Sequence, residues 1–421
     1  MKLSKLSISN YSVILLLLAN SAIAQVVTQT QAVKKLLDFG WNSPYTYDLR
    51  QNLGKYEIGI FDGVGIKIPT YAGAGNIFMI DDLLKISADS MAMELKLAAT
   101  TAESKVLTDN FIVLFGASQM DWFSDQQWAI AEKHIRYAAK LAKALHCKGI
   151  LWDAEPYKPG KNPWKYIEQP LAKTYTYLQY ATQVRKRGAQ FILALQDEFP
   201  DLIVYSLREF SDFQQGSPFS EPLLPVTDLT LTNQRLPQMW WGLHLPFTIG
   251  IMDGIKSNAT LVDANEEAYY YTSSQQFYET ATILKSDARA LIPIELQMKF
   301  AAHYKIGNAI SADYTSGHWA NVISFPFRLS GQGKMLSPAN QAKWFEHNAY
   351  YALKTSDDYA WLYTEEYNWW TGKNVPPGFE AALLQAKKKV NANAPLGFKV
   401  EDMLQQARNK AEKYQPEKKK Q

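Results

Sequence analysis

From about residue 36 onward, short runs of apolar residues alternate with longer amphipathic stretches. Most of the runs are continuously apolar, which is typical of strands buried on both faces of a parallel sheet. The predicted strands are LLDFGW (36–41), YEIGIFDGVGI (56–66), NFIVLFG (110–116), KGILWDAE (148–155), DLIVYSL (201–207), ATLVDANE (259–266), NVISFPF (321–327) and YAWLYTEE (359–366).

The stretches between these runs have the apolar spacing of helices. A capping-box pattern predicts a helix that begins after Ser124. A second helix is predicted over 172–199, with Gly188 as a candidate interruption. A third is predicted to begin at Ser337-Pro338, because proline is favoured at the first helical position.

The order strand–helix therefore repeats about eight times, which fits a (β/α)8 barrel or an open doubly wound sheet. No dinucleotide-binding glycine fingerprint follows the first strand, and there is no P-loop, so the barrel is favoured. The sequence has no linker rich in Pro, Gly or Ser and no internal repeat. The sequence predicts one α/β domain over 25–395, a (β/α)8 TIM barrel with long βα loops, the longest at 208–258.

Residues 1–24 have the pattern of a secretory signal peptide. Lys2 and Lys5 precede an apolar core, and Ala22 and Ala24 fit a cleavage site. The alternative is a membrane anchor, for which the apolar core is too short. We expect export to the periplasm or the medium, and no membrane contact by the mature protein.

Charge and cysteine content restrict the possible partners. Removing Lys2 and Lys5 from the 44 basic residues leaves 42, against 41 acidic ones, so there is no net field to attract nucleic acid. Cys147 is the only cysteine, so the fold must rely on its core rather than on internal disulfides. Residues 396–421 are predicted to form a charged C-terminal tail with a frayed end. The sequence does not indicate an oligomeric state.

Acidic residues follow several of the predicted strands, at the end of a barrel where active sites lie. These charged positions are Asp62, Asp153, Glu155, Arg208, Glu209, Asp263, Glu266, Glu365 and Glu366. Their distribution predicts a shared acidic cleft.

Asp153 and Glu155 point to the same face, because side chains alternate along a strand. Two neighbouring carboxylates repel when both are charged, so the pKa of one should rise until it can act as a general acid. The alternative is that Asp153 forms a structural ion pair with an arginine or a lysine.

Glycoside hydrolases catalyse hydrolysis with two carboxyl groups that face each other across a cleft. We predict Glu155 as the acid, Asp153 as its support, and Glu266 or Glu365 as the second catalytic carboxylate. Glu295 is a weaker candidate, because its surroundings look helical.

The chain is rich in aromatic residues, at 13 %, with 12 Trp and 24 Tyr. Aromatic faces suit sugar stacking, although each tryptophan could equally pack in the core. The predicted substrate-binding residues are Asp62, Tyr157, Arg208, Trp240, Trp241, Asp263, Tyr363, Trp369 and Trp370, with Trp122 as a further aromatic candidate.

The stretch DAEPY resembles the fourth strand of TIM-barrel glycoside hydrolases. In one branch this strand ends in Asn-Glu-Pro, and Glu155-Pro156 matches it, while Ala154 stands in place of Asn. The resemblance implies that Glu155 is the acid/base and that a nucleophilic Glu ends the seventh strand. The predicted seventh strand carries no Glu.

The same strand also resembles the D-G-x-D-x-D-x-E motif of family-18-type chitinases. Gly149, Asp153 and Glu155 match this motif, and Lys148 and Leu151 depart from it. This resemblance implies that the Glu is the acid and that the Asp orients the 2-acetamido group of the substrate. Both likenesses cover about ten residues and the barrel-like layout.

The sequence lacks the motifs of metallohydrolases and serine hydrolases. The six His are scattered without an HExxH pattern, and there is no G-x-S-x-G elbow, so we predict no metal and no cofactor. A divalent ion held by the carboxylates is the alternative. The rival to a carbohydrate-cleaving enzyme is a barrel that binds glycans without cleaving them, or that serves envelope assembly.

Overall fold

The computed structural model describes residues 33–69, 76–158, 160–214, 233–256, 258–322 and 331–413. The predicted signal peptide and part of the 208–258 loop lie outside these residues. A compact unit begins at Lys34. Within the described residues, no helix combines the length and the apolar character needed to cross a membrane.

Nine strands form one sheet in which every neighbouring pair is parallel. Their order is β7-β6-β5-β4-β3-β2-β1-β9-β8. The strands are β1 (Lys35–Gly40), β2 (Gly63–Ile66), β3 (Phe111–Phe115), β4 (Gly149–Asp153), β5 (Ile203–Ser206), β6 (Thr260–Asp263), β7 (Tyr304–Ile306), β8 (Asn308–Ser311) and β9 (Tyr359–Thr364).

The two ends of this order, β7 and β8, are consecutive in sequence and separated only by Gly307. They are two halves of one strand position, since β7 pairs with β6 and β8 pairs with β9. A Cβ atom at Gly307 would lie 2.6 Å from the hydroxyl of Tyr205, so a larger residue there would displace this buried side chain. The sheet thus has eight positions, and the predicted (β/α)8 barrel is confirmed over the open doubly wound sheet.

Helices follow most of the strands, as the repeating order predicts. They are α1 (Thr46–Tyr56), α2 (Ile80–Leu83), α3 (Ala88–Ala98), α4 (Asp125–Ala144), α5 (Tyr177–Glu198), α6 (Ser211–Gln214), α7 (His244–Gly254), α8 (Ser274–Ser286), α9 (Gln297–His303), α10 (Ala312–Ser316), α11 (Trp319–Val322), α12 (Pro338–Thr355), α13 (Phe379–Asn391) and α14 (Glu401–Lys413).

The predicted helix starts are confirmed at two caps. Ser124 accepts a hydrogen bond from the backbone N–H of Gln127, and Ser337 accepts one from Asn340. The capping box expected at Ser124 is only half formed, because the Gln127 side chain accepts from Asp121 instead.

Gly188 does not interrupt its helix, contrary to the sequence-based expectation. It lies inside α5, and a Cβ atom there would sit 2.0 Å from the backbone oxygen of Phe247. The glycine lets α5 and α7 approach closely, so its role is packing rather than helix termination.

The predicted strand over 321–327 is wrong where the structure describes it, because 319–322 is helical. The seventh strand position is instead formed by residues 304–311. This segment was missed because it is polar and broken by Gly307. Asn308 is buried, and its amide group bonds to Thr355 and Ser356.

The C-terminal segment is more ordered than the predicted charged tail. Glu401–Lys413 forms α14, which buries Leu404, Ala407 and Ala411. An apolar stripe at helical spacing fixes this part of the tail to the protein. Residues 414–421 lie outside the described part.

Asp38 gives a test of the core. It is buried, one of its carboxylate oxygens has no partner, and burial raises its pKa to about 8. The native state therefore holds a proton that the unfolded chain releases, so the free energy of unfolding falls as pH rises from about 4 to about 8. We expect Asp38→Asn to raise stability at pH 7 by on the order of 2–4 kcal/mol, and to have little effect near pH 4.

Urea unfolding of both proteins at pH 4, 5.5, 7 and 8 measures this difference. Asp201→Asn is the matched control, since Asp201 is exposed. A gain that does not grow with pH would show that Asp38 is not held neutral in the fold.

Candidate active site

The ends of β4, β5 and β6 bring charged side chains to one mouth of the barrel. Glu155 lies two residues beyond β4, Arg208 two beyond β5 and Glu266 three beyond β6. Because the strands are parallel neighbours, their C-terminal ends meet at the same edge. The predicted acidic cleft therefore exists, with an arginine within it.

Arg208 contacts four carboxylates at this mouth. Its Nε and Nη2 atoms lie 2.9 and 2.7 Å from Glu155 Oε1, and Nη2 lies 3.1 Å from Glu266 Oε1. Its Nη1 atom lies 3.2 Å from Asp212 Oδ1 and 3.9 Å from Glu267 Oε1. The guanidinium has enough donors in one plane to hold several acceptors at once.

The two glutamates on Arg208 Nη2 are close together. Since this nitrogen is 2.7 Å from one oxygen and 3.1 Å from the other, the Glu155 and Glu266 oxygens are no farther apart than the sum of these distances. Retaining glycosidases hold their carboxyl groups about 5–5.5 Å apart, and inverting ones about 6.5–9.5 Å. This upper limit for the two oxygens lies below the separation of the inverting class.

Tyr157 links the two acids of strand four. Its hydroxyl lies 2.6 Å from Asp153 Oδ2 and 2.9 Å from Glu155 Oε2. Asp153 also accepts the backbone N–H of Glu155 at 2.9 Å, which turns the chain at the strand end. Asp153 is thus held by hydrogen bonds rather than by the arginine or lysine pair considered from the sequence.

Three acids of this cluster have a raised pKa, as the sequence predicts for one of them. Burial, and then the charge of Glu155, raises the pKa of Asp153 to about 7. Burial raises the pKa of Asp212 to about 7 against the opposing effect of Arg208. Burial also raises the pKa of Glu266 well above its usual value, and Arg208 again opposes the shift.

A short 3-10 helix positions the acids that follow β6. It spans Glu266–Tyr270 and begins after Asn265, whose backbone is left-handed with φ of 44°. Asparagine tolerates this conformation, and its amide donates to Asn308 Oδ1 at 2.7 Å. The sharp turn brings the consecutive residues Glu266 and Glu267 beside Arg208.

Trp241 supports the arginine from another loop. The Arg208 guanidinium lies 5.3 Å from the Trp241 ring centroid, within the range of a cation–π contact. Trp241 packs in turn against His244. The predicted site residues Arg208 and Trp241 are therefore brought together, although Trp241 is 9 % exposed and supports the site rather than forming an open platform.

Two predicted acidic site residues are not available at the mouth. Asp62 precedes β2, so it is at the opposite end of the barrel, paired with Lys387 at 2.7 Å. The predicted strand began too early, which placed this acid at the wrong end. Asp263 is fully buried and accepts hydrogen bonds from Ser211 and Tyr304, so it anchors the chain after β5.

The predicted subsite tryptophans are structural. Trp369 is buried and packs against Phe61 and Phe345, and Trp370 packs against Phe61 and Tyr56. The loop after β9 returns to the helical layer, so a Trp pair after a strand indicates core packing here. Among the other aromatic candidates, Trp122 is also buried.

Glu365 belongs to a neighbouring group. Its carboxylate lies 3.2 Å from the Tyr363 hydroxyl, and its backbone N–H donates to Asp313 at 2.9 Å. Tyr363 is close enough to the mouth for the charges of Glu266 and Glu155 to act on it. The structure therefore favours Glu266 over Glu365 as the partner of Glu155. Glu295 lies in a 3-10 helix on the flank, as expected.

Sequence reasoning missed several residues of the mouth. Asp212 and Glu267 both pair with Arg208, and Tyr269 packs against Tyr363. Asp212 lies four residues beyond Arg208, a helical spacing that indicates an ion pair. Trp41, directly after β1, is 60 % exposed and was assigned only to a strand.

Trp240 and Tyr157 are exposed at the same end of the barrel. The backbone oxygen of Trp240 accepts from Asn162, in the loop after β4, and Lys165 lies over its ring. Together with Trp41, these aromatic side chains present faces suited to sugar rings.

Among the described residues, no group of three or more His, Cys, Asp and Glu has the arrangement of a metal site. Glu155 and Glu266 instead contact the guanidinium of Arg208.

No protein-family model matches the chain, and no curated protein matches it. One similar solved structure is a mutant of a glycoside hydrolase family 5 enzyme from Prevotella bryantii B14, in complex with a xyloglucan tetradecasaccharide. It is 12 % identical, with a TM-score of 0.42, and the match covers 85 % of this chain and 97 % of that one.

A second similar structure is a GH5-4 broad specificity endoglucanase from an uncultured bacterium. It is 10 % identical, with a TM-score of 0.38, and the match covers 86 % of this chain and 85 % of the endoglucanase chain. Both neighbours are glycoside hydrolases. At these scores the likeness carries no argument about chemistry, and the motif resemblances to family-18-type chitinases and Asn-Glu-Pro glycosidases stay predictions.

The bridge between Tyr157 and Asp153 can be tested directly. Replacing Tyr157 with Phe removes a hydrogen bond to the ionised form of Asp153, so the pKa of Asp153 should move upward from about 7, by roughly one pH unit. Carbon-detected NMR titration of the aspartate carboxyl groups measures it. Tyr47→Phe, on an exposed tyrosine, is the control. An unchanged titration would remove Tyr157 from the network.

Proposed function

We propose that the protein is a secreted glycoside hydrolase that cleaves O-glycosidic bonds of a polysaccharide or oligosaccharide. The observation that carries this proposal is the pair Glu155 and Glu266, held on one nitrogen of Arg208 at the mouth of the barrel. Their short spacing supports a retaining mechanism. The signal-peptide pattern of residues 1–24 supports export to the periplasm or the medium.

The hydrogen bonds favour different roles for the two carboxyl groups. Glu155 faces two nitrogens of Arg208 and the hydroxyl of Tyr157, and such donors stabilise a carboxylate in its ionised form. Glu266 has one contact with Arg208 and a pKa raised by burial. We therefore assign Glu266 as the acid and Glu155 as the nucleophile, the reverse of what the strand-four motif implies.

The reaction then has two steps. Glu266 donates its proton to the glycosidic oxygen while Glu155 attacks the anomeric carbon, so the C–O bond breaks and the leaving sugar departs as an alcohol. The Glu266 carboxylate next takes a proton from water, which attacks the same carbon and frees Glu155. Arg208 supplies a fixed positive charge beside both carboxyl groups.

Exposed aromatic residues support a carbohydrate substrate. Trp41 follows β1, Tyr157 follows β4 and Trp240 lies in the loop beside Asn162, so their rings surround the mouth on different loops. Aromatic faces bind the apolar face of a sugar ring. Three such faces at one end of the barrel suit a chain of sugars rather than a single one.

A second candidate function is glycan binding without cleavage, including a role in envelope assembly. The observation that favours it is the Arg208 bridge itself, since both proposed catalytic carboxylates are engaged by one cation in the unliganded protein. In this alternative the wild-type protein binds oligosaccharides and leaves every one of them intact.

Substrates with different leaving groups test the roles of the two glutamates. Without its acid, an enzyme still cleaves a substrate whose leaving group needs no proton. We expect Glu266→Ala to lose at least about 10²-fold of its activity on polysaccharide while cleaving dinitrophenyl glycosides well. Glu155→Ala should be inactive on both, and turnover rates on each substrate measure the difference.

Glu295→Ala is the matched control, since Glu295 lies on the flank of the barrel. The opposite pattern, with Glu155→Ala active on the dinitrophenyl glycosides, would restore Glu155 as the acid. Full activity of both variants on polysaccharide would refute the proposed pair.

The anomeric configuration of the first product tests the proposed short separation of Glu155 and Glu266. A separation in the shorter class leaves no room for water between carboxylate and sugar, so the anomeric configuration should be retained. Proton NMR during the first minutes of hydrolysis shows which anomer forms. Initial release of the inverted anomer would contradict the role of Glu155 as a nucleophile.

A further inference from the structure

We propose that the sugar bound at the mouth carries a protonated amino group, so that the substrate is a polymer of free, non-acetylated amino sugars. This inference rests on the proposed glycoside hydrolase function and names its substrate class. It follows from the charge balance of the mouth, from buried polar atoms without partners, and from the aromatic residues around them.

The mouth has an excess of negative groups. Five carboxyl groups gather there, and among the described residues Arg208 is the only cation in ion-pair contact with them. These acids are Asp153, Glu155, Asp212, Glu266 and Glu267. One guanidinium neutralises a single charge, so further positive charge in a ligand would be stabilised there.

Glycoside hydrolysis alone does not account for so many acids. The reaction needs two carboxyl groups, for which Glu155 and Glu266 suffice, and Asp153 is held against them by Tyr157. Asp212 is an additional acid, since it is not one of the reacting pair and shares Arg208 with the others. A neutral sugar would bring no positive charge to it.

Two buried polar atoms at the mouth lack partners in the described structure. The Oδ2 atom of Asp212 accepts no hydrogen bond, although its side chain is only 3 % exposed. The hydroxyl of Tyr269, a residue that is 2 % exposed, is also without a partner. Such atoms are rare in folded proteins, and an ammonium group offers three N–H donors to acceptors of this kind.

Aromatic rings complete the surroundings. The charges of Glu155 and Glu266 act on both Tyr269 and Tyr363, whose rings lie 5.6 Å apart. The Tyr157 hydroxyl lies 2.9 Å from Glu155 Oε2. Aromatic faces attract cations, so carboxylates and tyrosines together favour an ammonium group over an amide or a hydroxyl.

The raised pKa values of the acids at the mouth agree with a shortage of positive charge around them. Burial raises the pKa values of Asp153 and Asp212 to about 7 and raises that of Glu266 well above its usual value. A bound ammonium would lower these pKa values again, so binding near neutral pH should release protons. The titratable and charged groups that act on one another here are the five acids, Asp263, Glu365, Tyr157, Tyr269, Tyr270, Tyr363, His244 and Arg208.

The experiment compares matched oligosaccharides on the full-length mature protein. Hexamers of glucosamine and of galactosamine are each paired with their N-acetylated forms, and a neutral glucan hexamer is included. Calorimetry at pH 7, in two buffers of different ionisation enthalpy, measures affinity and proton release, and mass spectrometry of the products measures cleavage. At least one amino form should bind about tenfold more tightly or better than its acetylated partner, with protons released.

Variants identify the residues responsible. Glu267→Gln and Asp212→Asn each remove a negative charge and should bring the ratio of the two affinities towards one. Glu295→Gln removes a charge on the flank and should leave that ratio unchanged. Thermal unfolding of each variant checks its fold, and Glu267→Gln serves alone if the buried Asp212→Asn variant does not fold.

The outcomes separate this inference from the proposed function. Cleavage of neutral or acetylated hexamers without a preference for amino forms overturns the inference and leaves the hydrolase standing. Tight binding of an amino form without cleavage of any hexamer supports the inference and overturns the hydrolase. A preference that is unchanged in both Glu267→Gln and Asp212→Asn overturns the inference, because it would then be general electrostatic attraction.

Discussion

The candidate site depends on the ion pairs of one buried arginine. Arg208 is 14 % exposed at its side chain and holds Glu155 from strand four together with Glu266 from strand six. Removing a charge from water is costly unless the partner geometry is good, so each group makes the burial of the others tolerable. If Arg208 were lost, the acids would repel or take up protons, and the close spacing of Glu155 and Glu266 would be lost with it.

The barrel makes this arrangement possible because it fixes the neighbouring strand ends. Register between β4, β5 and β6 sets where the three chains leave the sheet, and the left-handed turn at Asn265 directs the last of them back across the mouth. The same closure explains Gly307, since Tyr205 fills the interior up to the gap between β7 and β8. Core packing and site geometry are therefore coupled through a few backbone positions.

The sequence predicted the barrel because buried parallel strands are continuous apolar runs, and seven of the eight positions have such a run. The seventh was missed because Asn308 is polar in sequence and satisfied only by partners distant in the chain. The two adjacent tryptophans, Trp369 and Trp370, were misplaced for a related reason. Their composition fits stacking and core packing equally, and only the path of the loop decides between them.

The acidic motif at the end of strand four does not determine which of its neighbouring carboxyl groups is protonated. The Asp-x-Glu spacing fixes that Asp153 and Glu155 share a face, yet it does not determine which acid of the cluster keeps a proton. That depends on Arg208 and Tyr157, which give Glu155 more donors than Glu266 receives. Burial raises the pKa of Glu266 well above its usual value, and Arg208 opposes the shift. The proposed roles of the two glutamates therefore rest on tertiary contacts rather than on the motif.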